Sequence, residues 1–425
     1  TLKDGSHLTL LSETRRGYAN LCNLITFSRV NGDRLEPKLD PRFLAMHSEG
    51  LILLTGCSKG RVPSLVAYGK TEEAGRELKD YLEWFGTGNV FIELQQNLVH
   101  GDTSRNRSLL QMARRLGVGV VATNNVHYHI SERHRLQDAL VAIDHNKTLE
   151  ETHRERRPNA NFYLKSPDRM AALFDSVPEA IDNTARIAER CAFNLKEDLG
   201  YEFPGYPVPE GHTSQTYLGK LCYEAAVRRY GSITVRVQER LDEELRLIGK
   251  HNLAGFFLIY HDIIQMGRQI MIELGLSNAE IPLEERPPGR GRGSSVAMLV
   301  GYLIGLSHID PLEFNLSLER FLSDDMGSVP DIDLDFPRNI REELIKRVHR
   351  DWGPDRAVLT GMISTYKIKG AIRDLGKALG LPLQDVDKLA KRVDSHGADG
   401  LKLEMRRLPE FRDRVDAPVW RDLID

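Results

Sequence analysis

Apolar and polar positions change rhythm along the chain, and the changes divide it. Between residues 1 and 130, short apolar runs (Leu51–Leu54, Val90–Leu94, Val118–Ala122) alternate with segments of helical period (Lys79–Trp84, Leu109–Leu116). Strands interleaved with helices predict parallel βα units. Each run leads into groups able to ligate a metal: Cys57, Glu93, and Asn124-Asn125-Val126-His127. The carboxyl ends of strands are where α/β barrels carry their chemistry. Residues 131–195 read as helices, with an amphipathic stretch over Pro178–Cys191, and the Gly/Pro-rich residues after 195 read as a linker. Beyond it the pattern predicts long helices at Ser214–Tyr230 and Val235–His251, then an apolar stretch, Phe256–Ile264. A helix over Asn339–Trp352 carries Ile340, Leu344, Val348 and Trp352 on one face, and residues 366–425 read as a last helical segment.

One segment departs from all of this. In Pro330-Asp331-Ile332-Asp333-Leu334-Asp335-Phe336, acid and apolar residues alternate strictly. That is the period of a strand, so the three carboxylates share one face and Ile332, Leu334 and Phe336 the other. Same-face residues sit roughly 6.6 Å apart along a strand. Like charges so close call for cations between them. An EF-hand loop is disfavoured because Phe336 stands where that loop needs Gly. A solvated edge strand stays open as the bland reading. A two-metal phosphoryl-transfer site is the preferred one, with magnesium taking hard carboxylate oxygens.

Some 40 residues upstream, Gly289-Arg290-Gly291-Arg292-Gly293-Ser294-Ser295 precedes an apolar segment read as a helix over Val296–Leu306. Glycines let backbone approach an anion, Ser294 reads as an N-cap, and the helix N-terminus offers free N–H groups for phosphate. The loop is neither a Walker A motif nor a dinucleotide fingerprint. A Gly/Arg-rich flexible loop without a ligand is its bland counterpart. Between loop and acids, Arg320 is a candidate clamp on a triphosphate or, equally, a partner in a surface ion pair. Across Arg338–Arg373 nine Lys/Arg, Lys367, Lys369 and Arg373 among them, stand against four acids. Such a basic stretch fits a nucleic-acid backbone or a solvated helix face.

The bulk properties narrow the classes. At 425 residues and 41 % hydrophobic the chain should hold two or three domains with real cores. A net charge of -3 leaves DNA contact to local basic patches. Four scattered cysteines with no C-x-x-C pair argue against a disulfide framework or zinc ribbon, and no run is long enough to span a membrane. The chain starts at Thr1 and stops at Asp425 inside an apparent helix, which reads as a piece of a longer protein.

Gly291-Arg292-Gly293-Ser294, Leu318-Glu319-Arg320-Phe321-Leu322, Pro330–Phe336 and Ala371-Ile372-Arg373-Asp374-Leu375-Gly376-Lys377 resemble, in order and spacing, the C-family bacterial DNA polymerases. That family comprises the polymerase III alpha subunits and the error-prone polymerases. Arg157-Pro158-Asn159-Ala160, Tyr163-Leu164-Lys165-Ser166 and Thr123–His129 look more like the error-prone branch. The resemblance implies an α/β chain. Residues 1–200 would form a distorted βα barrel, the polymerase-and-histidinol-phosphatase (PHP) domain, and 201–213 a linker. Residues 214–365 would form a polymerase-β-like nucleotidyltransferase palm, and 366–425 part of a helical thumb.

It further implies roles. Asp331 and Asp333 would hold two Mg2+ ions with Asp335 in support, and Arg292, Gly293, Ser294 and Arg320 would meet the incoming deoxynucleoside triphosphate (dNTP). Lys367, Lys369 and Arg373 would face primer-template DNA. In the PHP domain Zn2+ or Mn2+ would sit at His7, Cys57 and His127, where Asn125 replaces the usual Asp. That replacement puts metal binding there in question, and Cys57, His7 and His127 read equally well as structural residues. The barrel's first strands and the third palm carboxylate would lie outside the chain, so the chain alone is expected to be unable to polymerise. The expected setting is the bacterial cytoplasm, with a sliding clamp and other replication or repair proteins as partners. Two alternatives differ in class: a PHP phosphoesterase or 3′-5′ exonuclease, and a DNA-binding module without catalysis.

Overall fold

The computed structural model describes all residues except 31–35, 201–204, 284, 319–320, 326–330, 354–355, 395–396 and 425. The chain forms two compact units. The first joins Thr1–Leu199 to Ser364–Asp425, and the second is Gly200–Ile363. Residues 366–425, expected as a truncated thumb, pack within the first unit.

The first unit is built on an open four-stranded sheet in the order β1 (Thr9–Ser12), β2 (Leu51–Leu54), β3 (Val90–Gln95), β4 (Gly119–Thr123). β1 is antiparallel to β2, while β2, β3 and β4 run parallel, Glu93 lying opposite Val121. β2 has the sequence LILL and is buried throughout, as a strand covered on both faces must be. On one face Leu51, Leu53, Ile92, Leu94 and Val120 meet Leu78 and Tyr81 of the helix Thr71–Phe85 and Leu109 and Met112 of the helix Asp102–Leu116. On the other, Ile52, Leu54 and Val121 meet Ile187 of the helix Pro178–Arg190. The short apolar runs and helical segments of the sequence fall on these elements.

The C-terminal helices Ile368–Ala378, Leu383–Arg392, Ala398–Arg407 and Pro418–Ile424 bury their own core of Ile372, Leu389, Met405, Phe411 and Trp420. They are tied to the rest of this unit by Leu149 N–H donating to Ala378 C=O at 2.8 Å and Lys377 donating to Asn146 Oδ1 at 2.6 Å.

The second unit is mostly helical. Ser214–Tyr230, Val235–Lys250 and Ala254–Glu273 enclose Leu218, Leu241, Ile248, Phe257 and Ile264 together with Met298–Ile304. Thr213 caps the first of these with a reciprocal bond to Thr216. Among the described residues one acid sits in this core: Glu244, wholly buried, on the same helix face as Val237, Leu241 and Ile248. It accepts from the backbone N–H of Leu299 and of Val300, both at 2.8 Å, and from Arg240 Nε at 2.7 Å. Burial pushes its carboxyl up, and those three donors pull it back. Arg240 in turn donates to Ala297 C=O at 2.7 Å.

Removing that carboxylate leaves two N–H groups and a guanidinium without their acceptor. Glu244→Ala should destabilise the second unit by about 3 kcal/mol, the scale for breaking a buried ion pair. Urea unfolding followed by Trp352 fluorescence measures it. A midpoint equal to wild type would show that water replaces the carboxylate without loss.

Candidate active site: a glycine-rich strand against an acidic strand

The Gly-rich segment and the acidic segment are strand partners. β5 (Arg290–Arg292) pairs antiparallel with β6 (Asp333–Asp335), placing Arg290 opposite Asp335, Gly291 opposite Leu334 and Arg292 opposite Asp333. Alternation then sorts the side chains. Ile332 is buried, and Leu334 and Phe336 pack on the core of the second unit. Asp331, Asp333 and Asp335 are exposed on the other face, as are Arg290 and Arg292. Arg292 Nε lies 2.9 Å from Asp335 Oδ2, a diagonal ion pair across the ribbon. The like charges on β6 are therefore met by arginines that the facing strand supplies.

Close packing explains the glycines. Gly291 donates its N–H to Leu306 C=O at 2.7 Å, and a Cβ on it would stand 2.7 Å from that same oxygen. Gly293 leaves β5 at φ +69°, a conformation that favours glycine. His308 Nε2 lies 2.8 Å from Gly289 C=O, so the segment 306–308 flanks β5 on the side away from β6. After Phe336 the chain enters the helix Arg338–Trp352, whose Ile340 and Leu344 pack against Ile270.

Two expectations need correction here. The segment after the glycines is a short 3-10 turn, Gly293–Ala297, followed by a five-residue helix, Leu299–Leu303. Ser294 is not its N-cap. Ser295 Oγ donates to Arg292 C=O at 2.8 Å instead. Nor are the helix's first N–H groups free for a phosphate, because Glu244 already accepts from Leu299 and Val300. A buried carboxylate takes the position an anionic ligand would need. What the loop offers an anion is Arg290, Arg292 and the exposed backbone at Gly293. Arg320 lies outside the described residues.

The donor set suits magnesium, since exposed aspartates two apart supply hard oxygens, the usual protein share alongside substrate phosphates. Among the described residues no group of three or more His, Cys, Asp or Glu side chains gathers as a closed metal cluster.

The other candidate residues belong to the first unit. Lys367 is exposed just before the helix Ile368–Ala378, Lys369 lies 3.7 Å from Asp394, and Arg373 Nε is 3.3 Å from Asp387. Part of the basic stretch is likewise spent within the second unit, where Arg347 bonds Glu273 and Glu343.

At the carboxyl ends of β2–β4, Cys57 Sγ is 3.5 Å from His7 Nδ1. Arg157 donates to His127 Nε2 at 2.7 Å. Burial pushes both imidazoles below their ordinary pKa, and the charges of Lys59 and Arg157 push the same way. Glu93 is buried and accepts from Gly56 N–H at 3.0 Å, from Gln95 at 2.7 Å and from Thr123 Oγ1. Asn125 sits at φ +47° with a neutral amide. Glu244 and Arg157 had not been singled out from the sequence as site residues. Glu244 was legible as an acid on an apolar helix face, whereas nothing in the spacing of Arg157 announced its partner.

Residues 216–419 match the family described as the bacterial DNA polymerase III alpha NTPase domain, and residues 2–97 match the PHP domain. The chain carries the DNA polymerase III alpha family's NTPase domain together with a PHP domain. An error-prone DNA polymerase of Symbiobacterium thermophilum is 36 % identical over 97 % of this chain and 38 % of its own length. A DNA polymerase III subunit alpha of Treponema pallidum is 34 % identical over 91 % of this chain and 32 % of its own. An error-prone DNA polymerase of Mycolicibacterium paratuberculosis is 33 % identical over 92 % of this chain and 35 % of its own. The chain thus spans about a third of the length of the curated relatives it matches. No helix among the described residues is long and apolar enough to cross a membrane.

The contact at Gly291 makes a direct test. Gly291→Ala forces its methyl against Leu306 C=O, so it should cost about 1–3 kcal/mol, as overpacking does. Gly293→Ala finds open space and should cost about 1–2 kcal/mol, the strain of a Cβ on a left-handed backbone. Thermal denaturation of the two variants, compared with wild type, reads both costs, and a Gly291→Ala protein as stable as wild type would contradict the close approach of Leu306 C=O.

Proposed function

We propose that this chain is the nucleotide-binding and metal-binding part of a DNA-directed DNA polymerase. Its parent protein would extend a primer by attack of the 3′-hydroxyl on the α-phosphate of a dNTP, releasing pyrophosphate. The observation that carries the reading is the register of β5 against β6, which sets Arg290 and Arg292 beside Asp333 and Asp335 on one exposed face. Polymerase-named relatives match over nearly the whole chain.

In this reading Asp331 and Asp333 hold two Mg2+ ions, which when bound neutralise phosphate charge and activate the attacking oxygen. Asp335 orients Arg292, its partner at 2.9 Å, toward the triphosphate tail. Gly293 admits the phosphates close to backbone, with Ser294 beside it and Arg320 as a further clamp. Lys367, Lys369 and Arg373 meet the primer-template backbone, each ion pair with Asp394 or Asp387 yielding to a phosphate. The setting is the bacterial cytoplasm, and the error-prone, damage-tolerant role is favoured over the replicative one by the Symbiobacterium relative. A sliding clamp would be a partner of the parent protein.

Primer extension by the protein of the full reading frame tests this. Asp331→Ala and Asp333→Ala should each lower the rate by on the order of a thousandfold, the scale set by losing a charge-stabilising group in phosphoryl transfer. Arg292→Ala should chiefly raise the KM for dNTP. Wild-type rates in either aspartate variant would end the assignment.

A further inference from the structure

The matched PHP domain implies a metal at the carboxyl ends of β2–β4, and the side chains there are arranged for something else. We propose that the guanidinium of Arg157 stands in the place of a divalent ion at this site, so that a protein cation, not a metal, holds His127.

Lone-pair accounting supports it. Guanidinium nitrogens only donate hydrogen bonds, so the 2.7 Å contact from Arg157 Nη2 fixes His127 Nε2 as the acceptor. A metal would bind through that same lone pair, and one lone pair serves one partner. Both partners are held in position. The Arg157 guanidinium carbon lies 5.1 Å from the centre of the Phe162 ring, and the backbone N–H of His127 donates to Phe162 C=O at 2.8 Å.

The other donors are committed as well. Both carboxylate oxygens of Glu93 accept bonds from Gly56, Gln95 and Thr123, which tie the ends of β2, β3 and β4 together. Cys57 Sγ faces His7 Nδ1. Asn125, at the position where the resemblance expects Asp, brings no charge. An incoming dication would meet the charges of Arg157 and Lys59, with Glu93 already engaged. The phosphoesterase alternative thereby lacks its ion at His127, whatever the palm does.

Histidine-selective 15N–1H spectra of the chain, titrated with zinc, together with elemental analysis after desalting, test the proposal. The expected result is His127 with its proton on Nδ1 and an Nε2 signal that does not move with zinc, in a protein carrying far less than one ion per chain. In Arg157→Ala, and in Arg157→Gln as a second variant with a polar side chain retained, the Nε2 signal should shift on zinc addition. A wild-type Nε2 signal that moves with zinc, or a stoichiometric ion surviving desalting, overturns the proposal. So does an Nε2 signal that stays fixed in both folded variants, because Arg157 would then not be what excludes the metal.

Discussion

The antiparallel contact between Arg290–Arg292 and Asp333–Asp335 is the constraint on which the second unit's chemistry rests. Three aspartates in alternate positions repel one another, and on an isolated strand they would favour any conformation that separates them. The ribbon resolves this by placing two arginines on the same face, one of them paired to Asp335. The exposed pair contributes little to stability, about 0–1 kcal/mol. Its importance lies in arrangement: carboxylates and guanidinium groups are collected on one surface, open to solvent, with the apolar half of the same strand sealed against the core.

That surface would drift without support from behind. Glu244 supplies it, reaching from the helix Val235–Lys250 to the first two N–H groups of Leu299–Leu303, just past the glycine turn. A fully buried carboxylate is costly to desolvate and is tolerated where its oxygens are satisfied, as they are here by three donors. Gly291 completes the clamp through its bond to Leu306, whose carbonyl approaches too closely to admit a side chain. The loop is thus held on both flanks, and its flexibility, suggested by a run of glycines and arginines, is not what the fold uses. Glycine here serves proximity.

Much of this was legible in the sequence, and what was not has definite causes. The strands Leu51–Leu54, Val90–Gln95 and Gly119–Thr123 were readable because apolar runs buried on both faces leave no other period. The acidic strand was readable from strict alternation. The helix after the glycine loop was misread because Val296–Leu306 is apolar all round. Such a run reports burial and not conformation, and the chain breaks it into a 3-10 turn, five helical residues and a flanking segment. Long-range partners were beyond reach: Glu244 and Val300 lie 56 positions apart. Period could place Glu244 on an apolar face without saying what it meets there.

The two candidate ion sites differ in a way that residue types alone conceal. At β6 the carboxylates face solvent, and the arginine contact is a surface pair that a stronger cation can displace, since hard oxygens have several lone pairs to share. At His127 the acceptor is a single nitrogen lone pair, and the guanidinium that takes it is also held by Phe162. Displacing that cation means breaking a short hydrogen bond and a cation–π contact together, with no carboxylate from Asn125 to compensate. The same residue type, arginine, therefore does opposite things in the two units. Beside Asp335 it pairs with a carboxylate on an exposed anionic surface, and beside His127, in the arrangement proposed, it is the cation.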